Sequence, residues 1–511
     1  MTEEEARRAI GQLLLANWPK GSAAKVRADL RAYPFGGVVL HTQDVEEPHA
    51  LRDRNADLWA HAQEEGLPPL WVAVTEEGGT VHRFPKSPRP PSAMALAAAD
   101  SGRHVESVSA MMGRFLASQG VNWNFAPDLD VLTREANPVI GTRSFGPDAR
   151  TVADLGSVWI RAHEAQGVIA TGKHFPGHGM TELDSHVAHP VADIPREALE
   201  PHLEPFRAAI RAGVGAMMTA HVLYPRCDGA IATFSPYWQE QVLRGELGFS
   251  GMIVSDALSM RGASGDRSLV EAGVSALHAG VDVLDVGGTW EDACSLLDGL
   301  FEAWRKGGLR EDRVLESLVR VRSAKRGLRS PDRWPGIPSS EEMHRVFDPV
   351  HEGAVTLVQG ERPDASPSYV LWVAPLSPPE VEELLADPGG TGRADFASTW
   401  LGSRNWSERW PEVEAVPNDR TSLLYTANVW KDTDLTERLR AWAEGRNCVH
   451  VALRDPVDLA YVAVRGARIA AFGDEAQALR RVTNWVHGRG AIRVGVAGSH
   501  ALGRASDPGH A

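Results

Sequence analysis

Short apolar runs recur along the first 290 residues, at 37–40, 70–74, 122–126, 168–172, 216–219, 252–255 and 281–286, with longer helical stretches between them. Such alternation favours a parallel sheet with crossover helices. Seven strands of this kind, followed by more helix, point to a (β/α)8 TIM-type barrel rather than an open sheet, with the eighth strand not evident in the pattern. Residues 198–212 (ALEPHLEPFRAAIRA) place Leu199, Leu203, Phe206 and Ile210 on one face at three- and four-residue spacing, as a helix covering a barrel requires.

The rhythm breaks at 327–343 (GLRSPDRWPGIPSSEEM), rich in Pro, Ser and Gly. The predicted organisation is therefore a barrel domain over residues 1–330, a linker at 331–345 and a second unit from 346 to 511. Strand-like runs at 354–358, 369–373, 422–426, 448–453 and 492–496, with a helical segment at 435–444, predict a smaller α/β sandwich there.

Length agrees with two compact units: 511 residues exceed one ordinary domain. The 53 basic and 67 acidic residues give a formal charge of −14, which argues against a nucleic acid or an anionic membrane as partner. A neutral or cationic small molecule is easier to accommodate. Cys227, Cys294 and Cys448 form no Cys-x-x-Cys pair, so neither a disulfide framework nor a thiolate zinc site is expected. The acidic N-terminus has no apolar leader pattern, and no stretch is long enough to cross a bilayer; a cytoplasmic protein is the expectation.

Candidate chemistry gathers where the apolar runs end, which in a barrel is one common face. Thr75-Glu76-Glu77-Gly78-Gly79-Thr80-Val81-His82-Arg83 follows the run at 70–74. Ala126-Pro127-Asp128-Leu129-Asp130 ends the next, and leads to Asn137-Pro138-Val139-Ile140-Gly141-Thr142-Arg143. The densest loop begins at Lys173-His174-Phe175-Pro176-Gly177-His178-Gly179 and reaches Asp184-Ser185-His186, where a carboxylate two residues from an imidazole can orient and charge it. Asp256, directly after the run at 252–255, is held on a strand end as a nucleophile must be. It is equally well placed to cap the next helix. A zinc site among His174, His178, His186 and His189 is disfavoured, because Pro176 and Gly177 prevent helical i, i+4 presentation. No metal and no cofactor is expected.

Lys-His-Phe-Pro-Gly-His-Gly with Asp184-Ser185-His186, Met218-Thr219-Ala220-His221-Val222, Ala232-Thr233-Phe234-Ser235 and Ser255-Asp256-Ala257-Leu258-Ser259-Met260 resembles the β-N-acetylglucosaminidase branch of glycoside hydrolase family 3. The motifs occur in order over roughly residues 36 to 290. The resemblance implies a retaining β-N-acetylhexosaminidase acting on an amino-sugar substrate, terminal N-acetylglucosamine of peptidoglycan- or chitin-derived fragments. It implies Asp256 as nucleophile, His186 as general acid/base and Asp184 as the partner of His186. Lys173, His174 and Arg143 match positions that hydrogen-bond sugar hydroxyls, Arg83 is a further candidate, and His178 and His221 read as structural.

The chain departs from the family after the run at 70–74. The usual Asp-x-Glu-Gly-Gly-Arg is here Thr75-Glu76-Glu77-Gly78-Gly79-Thr80, so an acidic acceptor and an arginine are both replaced by hydroxyls. A lost charged hydrogen bond in a dry site is worth on the order of 1.5 to 3 kcal/mol, enough to alter sugar preference or rate. Glu76 or Glu77 is placed to compensate, and Glu76 is taken as a substrate contact. Two alternatives stay open at this level: transfer of the sugar to phosphate instead of water, and an amino-sugar-binding barrel with little turnover.

Overall fold

A computed structural model describes residues 1–494 apart from 20–22, 46, 100–101, 135–136, 182–189, 261, 263–266, 360, 363–368, 374–396, 401–412, 415–420, 428, 445, 454–455, 457, 463, 465, 473–475 and 487–490. By proximity the chain divides into two units. One comprises Met1–Pro90, Val105–Ile140 and Asp148–His344; the other comprises Pro91–His104, Gly141–Pro147 and Arg345–Ala511. The stretch expected as linker holds a 3-10 turn, Pro331–Arg333, and from Ser340 the first residues of a helix, Ser340–Ala354.

The first unit is built on eight parallel strands: β1 (Leu14–Asn17), β2 (Gly37–Leu40), β3 (Trp71–Val74), β4 (Trp123–Asn124), β5 (Ile169–Phe175), β6 (Ala216–Thr219), β7 (Met252–Val254) and β8 (Leu284–Asp285). Their order is β7-β6-β5-β4-β3-β2-β1-β8, and a parallel bridge between Val254 and Val283 joins the two ends into a barrel. The eighth strand is thus β1, ahead of the seven expected from the sequence. Its Leu14, Leu15 and Ala16, and Leu13 just before them, are fully buried and follow after Gln12 on the helix Glu3–Gly11, whose Ala6, Ala9 and Ile10 are also buried. Consecutive apolar residues in short strands are what a parallel sheet covered on both faces requires.

Large side chains fill the barrel. The Trp71 and Trp123 rings meet edge to face at 5.0 Å, and Trp123 donates its indole N–H to Thr171 Oγ1 at 2.8 Å. The helix Arg196–Ala212 buries Leu199, Leu203 and Phe206 as its spacing predicts, while Ile210 is half-buried. At the amino end of β8, Asp282 is wholly buried. It accepts hydrogen bonds from Arg244 (2.6 Å), Arg313 (2.9 Å), Arg320 (2.9 Å), Ser317 (3.0 Å) and the Ile253 N–H (3.0 Å).

Removing the anion at the centre of such a network leaves buried cations uncompensated. Asp282→Asn is therefore expected to destabilise the barrel by about 3 to 5 kcal/mol, read as a shift of its urea unfolding transition. A loss below about 1 kcal/mol would mean that solvent, not Asp282, stabilises these arginines.

The second unit contains a seven-stranded sheet in the order β11-β10-β12-β13-β14-β9-β15. The strands are β9 (Thr356–Gln359), β10 (Tyr369–Val373), β11 (Ala397–Trp400), β12 (Ser422–Thr426), β13 (Cys448–Ala452), β14 (Arg468–Ala470) and β15 (Arg493–Val494), all pairings being parallel except β14 with β9. Alternate residues of β12 enter two separate cores: Leu423 and Tyr425 pack with Ala478, Val482 and Trp485, whereas Leu424 packs with Leu435, Leu439 and Trp442. Helices Ala476–Val486 and Thr433–Ala443 thus serve different cores, which makes the unit an α/β sandwich.

Candidate active site

The carboxyl ends of the barrel strands carry the polar residues that the sequence singled out, and rigid strand ends fix their positions. Asp256 stands two residues beyond β7. Its Oδ1 accepts the Ala257 N–H at 2.8 Å, and the helix Leu269–Ala279 is capped by Ser268 instead. The turn that carries Asp256 is tied to β8: Ser255 Oγ accepts the Asp285 N–H (3.0 Å), and the Leu258 N–H donates to the Asp285 carbonyl (2.9 Å).

Burial pushes the Asp256 carboxyl toward a higher pKa. His221 and His174, the Ala257 N–H and Lys173 together outweigh it and hold the group below the ordinary carboxylate value. Asp256 is therefore a charged carboxylate over the whole neutral range.

Lys173 and His174 come from the end of β5. Lys173 Nζ meets Glu77 Oε1 at 2.6 Å with both side chains almost wholly buried. A buried pair of this kind gains little net stability, but it fixes the ammonium in one place. His174 Nδ1 lies 2.8 Å from Asp130 Oδ2, which makes Nδ1 the protonated nitrogen of this pair. Asp130, wholly buried, also accepts the N–H groups of His174 (3.3 Å) and His178 (2.5 Å), while its own N–H donates to Asp128 Oδ1 (2.9 Å).

Among the described residues, Asp128, Asp130 and His174 also bring ligand-type atoms within 4.8 Å of one another. The short contact in that set is an imidazole–carboxylate hydrogen bond, and the carboxylates accept backbone N–H groups. This donor pattern suits a hydrogen-bonded cluster that orients His174.

His221, which reads from sequence as structural, bonds through Nδ1 to Thr233 Oγ1 (2.8 Å). Through Nε2 it bonds to the Ala257 carbonyl (3.2 Å), so its ring lies against the Asp256 turn. His178 bonds Thr181 Oγ1 at 2.7 Å, and the Asn137 amide clamps the backbone carbonyls of His178 and Thr181. Glu76 spends both carboxylate oxygens inside its own loop, on His82 Nδ1 (3.0 Å) and the Arg83 N–H (2.7 Å). The glutamate that reaches the strand-end lysine is Glu77, which the sequence does not distinguish from its neighbour.

Burial depresses the pKa of His41 against the carboxylate of Asp44, and the half-buried Arg83 adds to that depression. Arg143 ends the 3-10 turn Gly141–Arg143, in a segment that groups with the second unit. Thr75, directly after β3, is half-buried, and Thr80 is exposed. Asp184 and His186 lie outside the described residues.

One further carboxylate belongs to this face. Asp285, the last residue of β8, is buried and accepts the Gly287 N–H at 3.2 Å. Burial and the charge of Asp256 push its carboxyl up to about 7, against the Gly287 N–H. In sequence it passes as one position of an apolar run, yet a carboxylate ending a barrel strand is itself a signal.

A closed parallel barrel that collects an ionised aspartate, a lysine and two histidines at the carboxyl ends of its strands is a barrel enzyme. The model of the glycosyl hydrolase family 3 N terminal domain matches residues 6–324. The chain belongs to that family and is a glycoside hydrolase.

Its relatives include a β-hexosaminidase of Vibrio cholerae serotype O1 (strain M66-2), 39% identical over 281 residues that span 54% of this chain and 83% of the relative. Among solved structures, a family 3 β-N-acetylglucosaminidase from Paenibacillus sp. str. FPU-7 superposes with a TM-score of 0.86 at 30% identity, covering 95% of this chain and 97% of that one. A β-N-acetylhexosaminidase from Beutenbergia cavernae DSM 12333 gives a TM-score of 0.59 at 29% identity, covering 63% of this chain and 98% of that one. No helix among the described residues is long and apolar enough to cross a membrane.

Proposed function

We propose that the protein is a retaining β-N-acetylhexosaminidase that releases terminal β-linked N-acetylglucosamine from peptidoglycan- or chitin-derived fragments. Asp256 attacks the anomeric carbon while His186, oriented by Asp184, protonates the leaving oxygen; water, deprotonated by His186, then releases the sugar from the covalent ester. Lys173, His174, Arg143 and Arg83 supply donors for sugar hydroxyls. The observation that carries this reading is Asp256 itself, ionised on a strand end pinned to β8 and faced by His221, His174 and Lys173.

The roles of Asp184 and His186 rest on their motif. An imidazole acid/base suits a site that already holds Asp256, because it adds no like charge in either protonation state. The names of the relatives support the choice of N-acetylglucosamine. The free thiols Cys227, Cys294 and Cys448 suit a reducing compartment such as the cytoplasm.

The test is a comparison of aryl β-N-acetylglucosaminide with aryl β-glucoside, each with and without inorganic phosphate, by product analysis. The expected result is a rate at least about tenfold higher on the N-acetylated substrate, with free N-acetylglucosamine as product in both media. A sugar 1-phosphate in the phosphate arm would contradict hydrolysis. Absence of turnover on either glycoside between pH 5 and 8 would contradict the enzyme and leave an amino-sugar-binding barrel.

A further inference from the structure

The proposed mechanism uses one of two aspartates at the β7 and β8 ends: the parallel bridge between Val254 and Val283 puts Asp256 and Asp285, each two residues further on, side by side on neighbouring segments of the barrel. The peptide of Asp285 is bonded on both sides of Asp256, its N–H to Ser255 Oγ and its carbonyl to the Leu258 N–H. The chain then turns through Gly287 and Gly288, both with positive φ, and comes so close to the Asp256 turn that a Cβ at Gly287 would lie 2.2 Å from Ser259 Oγ. These bonds fix the backbone of Asp285 beside the Asp256 turn, and its buried carboxylate accepts the Gly287 N–H at 3.2 Å.

We propose that Asp285 is a positioning residue of the reaction, a second carboxyl that keeps its proton while Asp256 is ionised and yields it to solvent as Asp256 bonds to the sugar. The proposal rests on Asp256 being the nucleophile.

Two interacting carboxyls lose their protons in sequence. Asp256 ionises first because His221, His174 and Lys173 face it; burial and then the charge of Asp256 bring the Asp285 carboxyl up to about 7. Of the described groups, Asp256 is the charge that acts on Asp285. From β1, the neutral Asn17 amide donates to the Gly288 carbonyl, and beyond Gly288 the Asp292 carboxylate is taken up by the Thr289 N–H and hydroxyl.

In the first half-reaction the bond from Asp256 Oδ to C1 forms as the bond from C1 to the leaving oxygen breaks, and the electron pair departs with that oxygen. The charge on Asp256 is spent and the sugar carbon becomes cationic. A negative Asp285 repels the first and attracts the second, so its ionisation favours this step on both counts. The same charge opposes the second half-reaction, which restores the anion on Asp256.

The experiment is the pH profile of kcat/KM for 2,4-dinitrophenyl N-acetyl-β-glucosaminide, whose leaving group needs no proton and so removes His186 from the profile. In wild-type protein kcat/KM is expected to rise about threefold to tenfold between pH 6 and 8.5. Asp285→Asn and Asp285→Ser, checked for folding by thermal unfolding, are expected to give flat profiles, because neither side chain titrates. A flat wild-type profile would overturn the proposal, as would a rise that persists in both variants, which would belong to His174 or His221. Asp256→Ala, assayed in parallel with azide added, separates the two levels: full turnover without azide in that variant would remove the nucleophile reading, whatever the profile of Asp285.

Discussion

Asp256→Ala is expected to lose at least about a thousandfold in kcat on every aryl N-acetylglucosaminide while still binding N-acetylglucosamine. The alanine removes the atom that forms the bond to C1, while the backbone bonds of Asp285 to Ser255 and Leu258 keep the turn itself in place. Binding persists because Lys173 and His174 are held independently, by Glu77 and Asp130. Azide, small enough to occupy the space of the lost carboxylate, is expected to restore part of the rate and to yield a glycosyl azide of inverted configuration. Product analysis by NMR reads that stereochemistry directly. Retained turnover without azide would move the nucleophile elsewhere.

His186→Ala is expected to separate substrates by their leaving group. On a phenyl or alkyl N-acetylglucosaminide, whose oxygen must be protonated as the bond breaks, kcat/KM falls by about a hundredfold to ten-thousandfold. On the 2,4-dinitrophenyl substrate it falls by less than about tenfold, because the departing oxide is already stable. The measurement is the slope of log(kcat/KM) against leaving-group pKa, which becomes steep in the variant. Equal losses across the series would take His186 out of the acid role. Asp184→Asn is expected to follow His186→Ala in direction with a smaller slope, since it weakens the imidazole without removing it.

Strands β2 to β8 are legible in the sequence because each is a short apolar run closed by a polar strand end, the pattern of a sheet buried on both faces. β1 is not, because Leu13 to Ala16 follow the apolar face of the preceding helix after the single polar residue Gln12, too short a break to separate helix from strand. In the second unit β11 (Ala397–Trp400) has Ser398 and Thr399 at its centre and so is no apolar run, and β14 (Arg468–Ala470) has three residues, too few for a period to register.

The candidate site divides along the same line. Lys173, His174 and Asp256 follow apolar runs directly, so strand geometry alone places them on one face. Which of two adjacent glutamates reaches Lys173 depends on the turn through Gly78 and Gly79, both at positive φ, and on the bond from the Glu77 N–H to the Val81 carbonyl. The Gly-Gly pair marks a turn in the sequence, but not which glutamate that turn directs to Lys173. The partnerships of Asp130 with His174 and of Asp285 with the Asp256 turn join residues 44 and about 30 positions apart, across neighbouring strands. They become visible only when the barrel closes.

The central claim is that Asp256 forms a covalent bond to the sugar. Incubation with 5-fluoro-N-acetyl-β-glucosaminyl fluoride, which slows release of the sugar from the enzyme, tests it by intact-protein mass spectrometry and peptide mapping. The account predicts one added fluoro-sugar per chain, on the peptide containing Asp256 and absent from Asp256→Ala. A label on any other residue, or rapid turnover of an aryl N-acetylglucosaminide with no label at all, would contradict it.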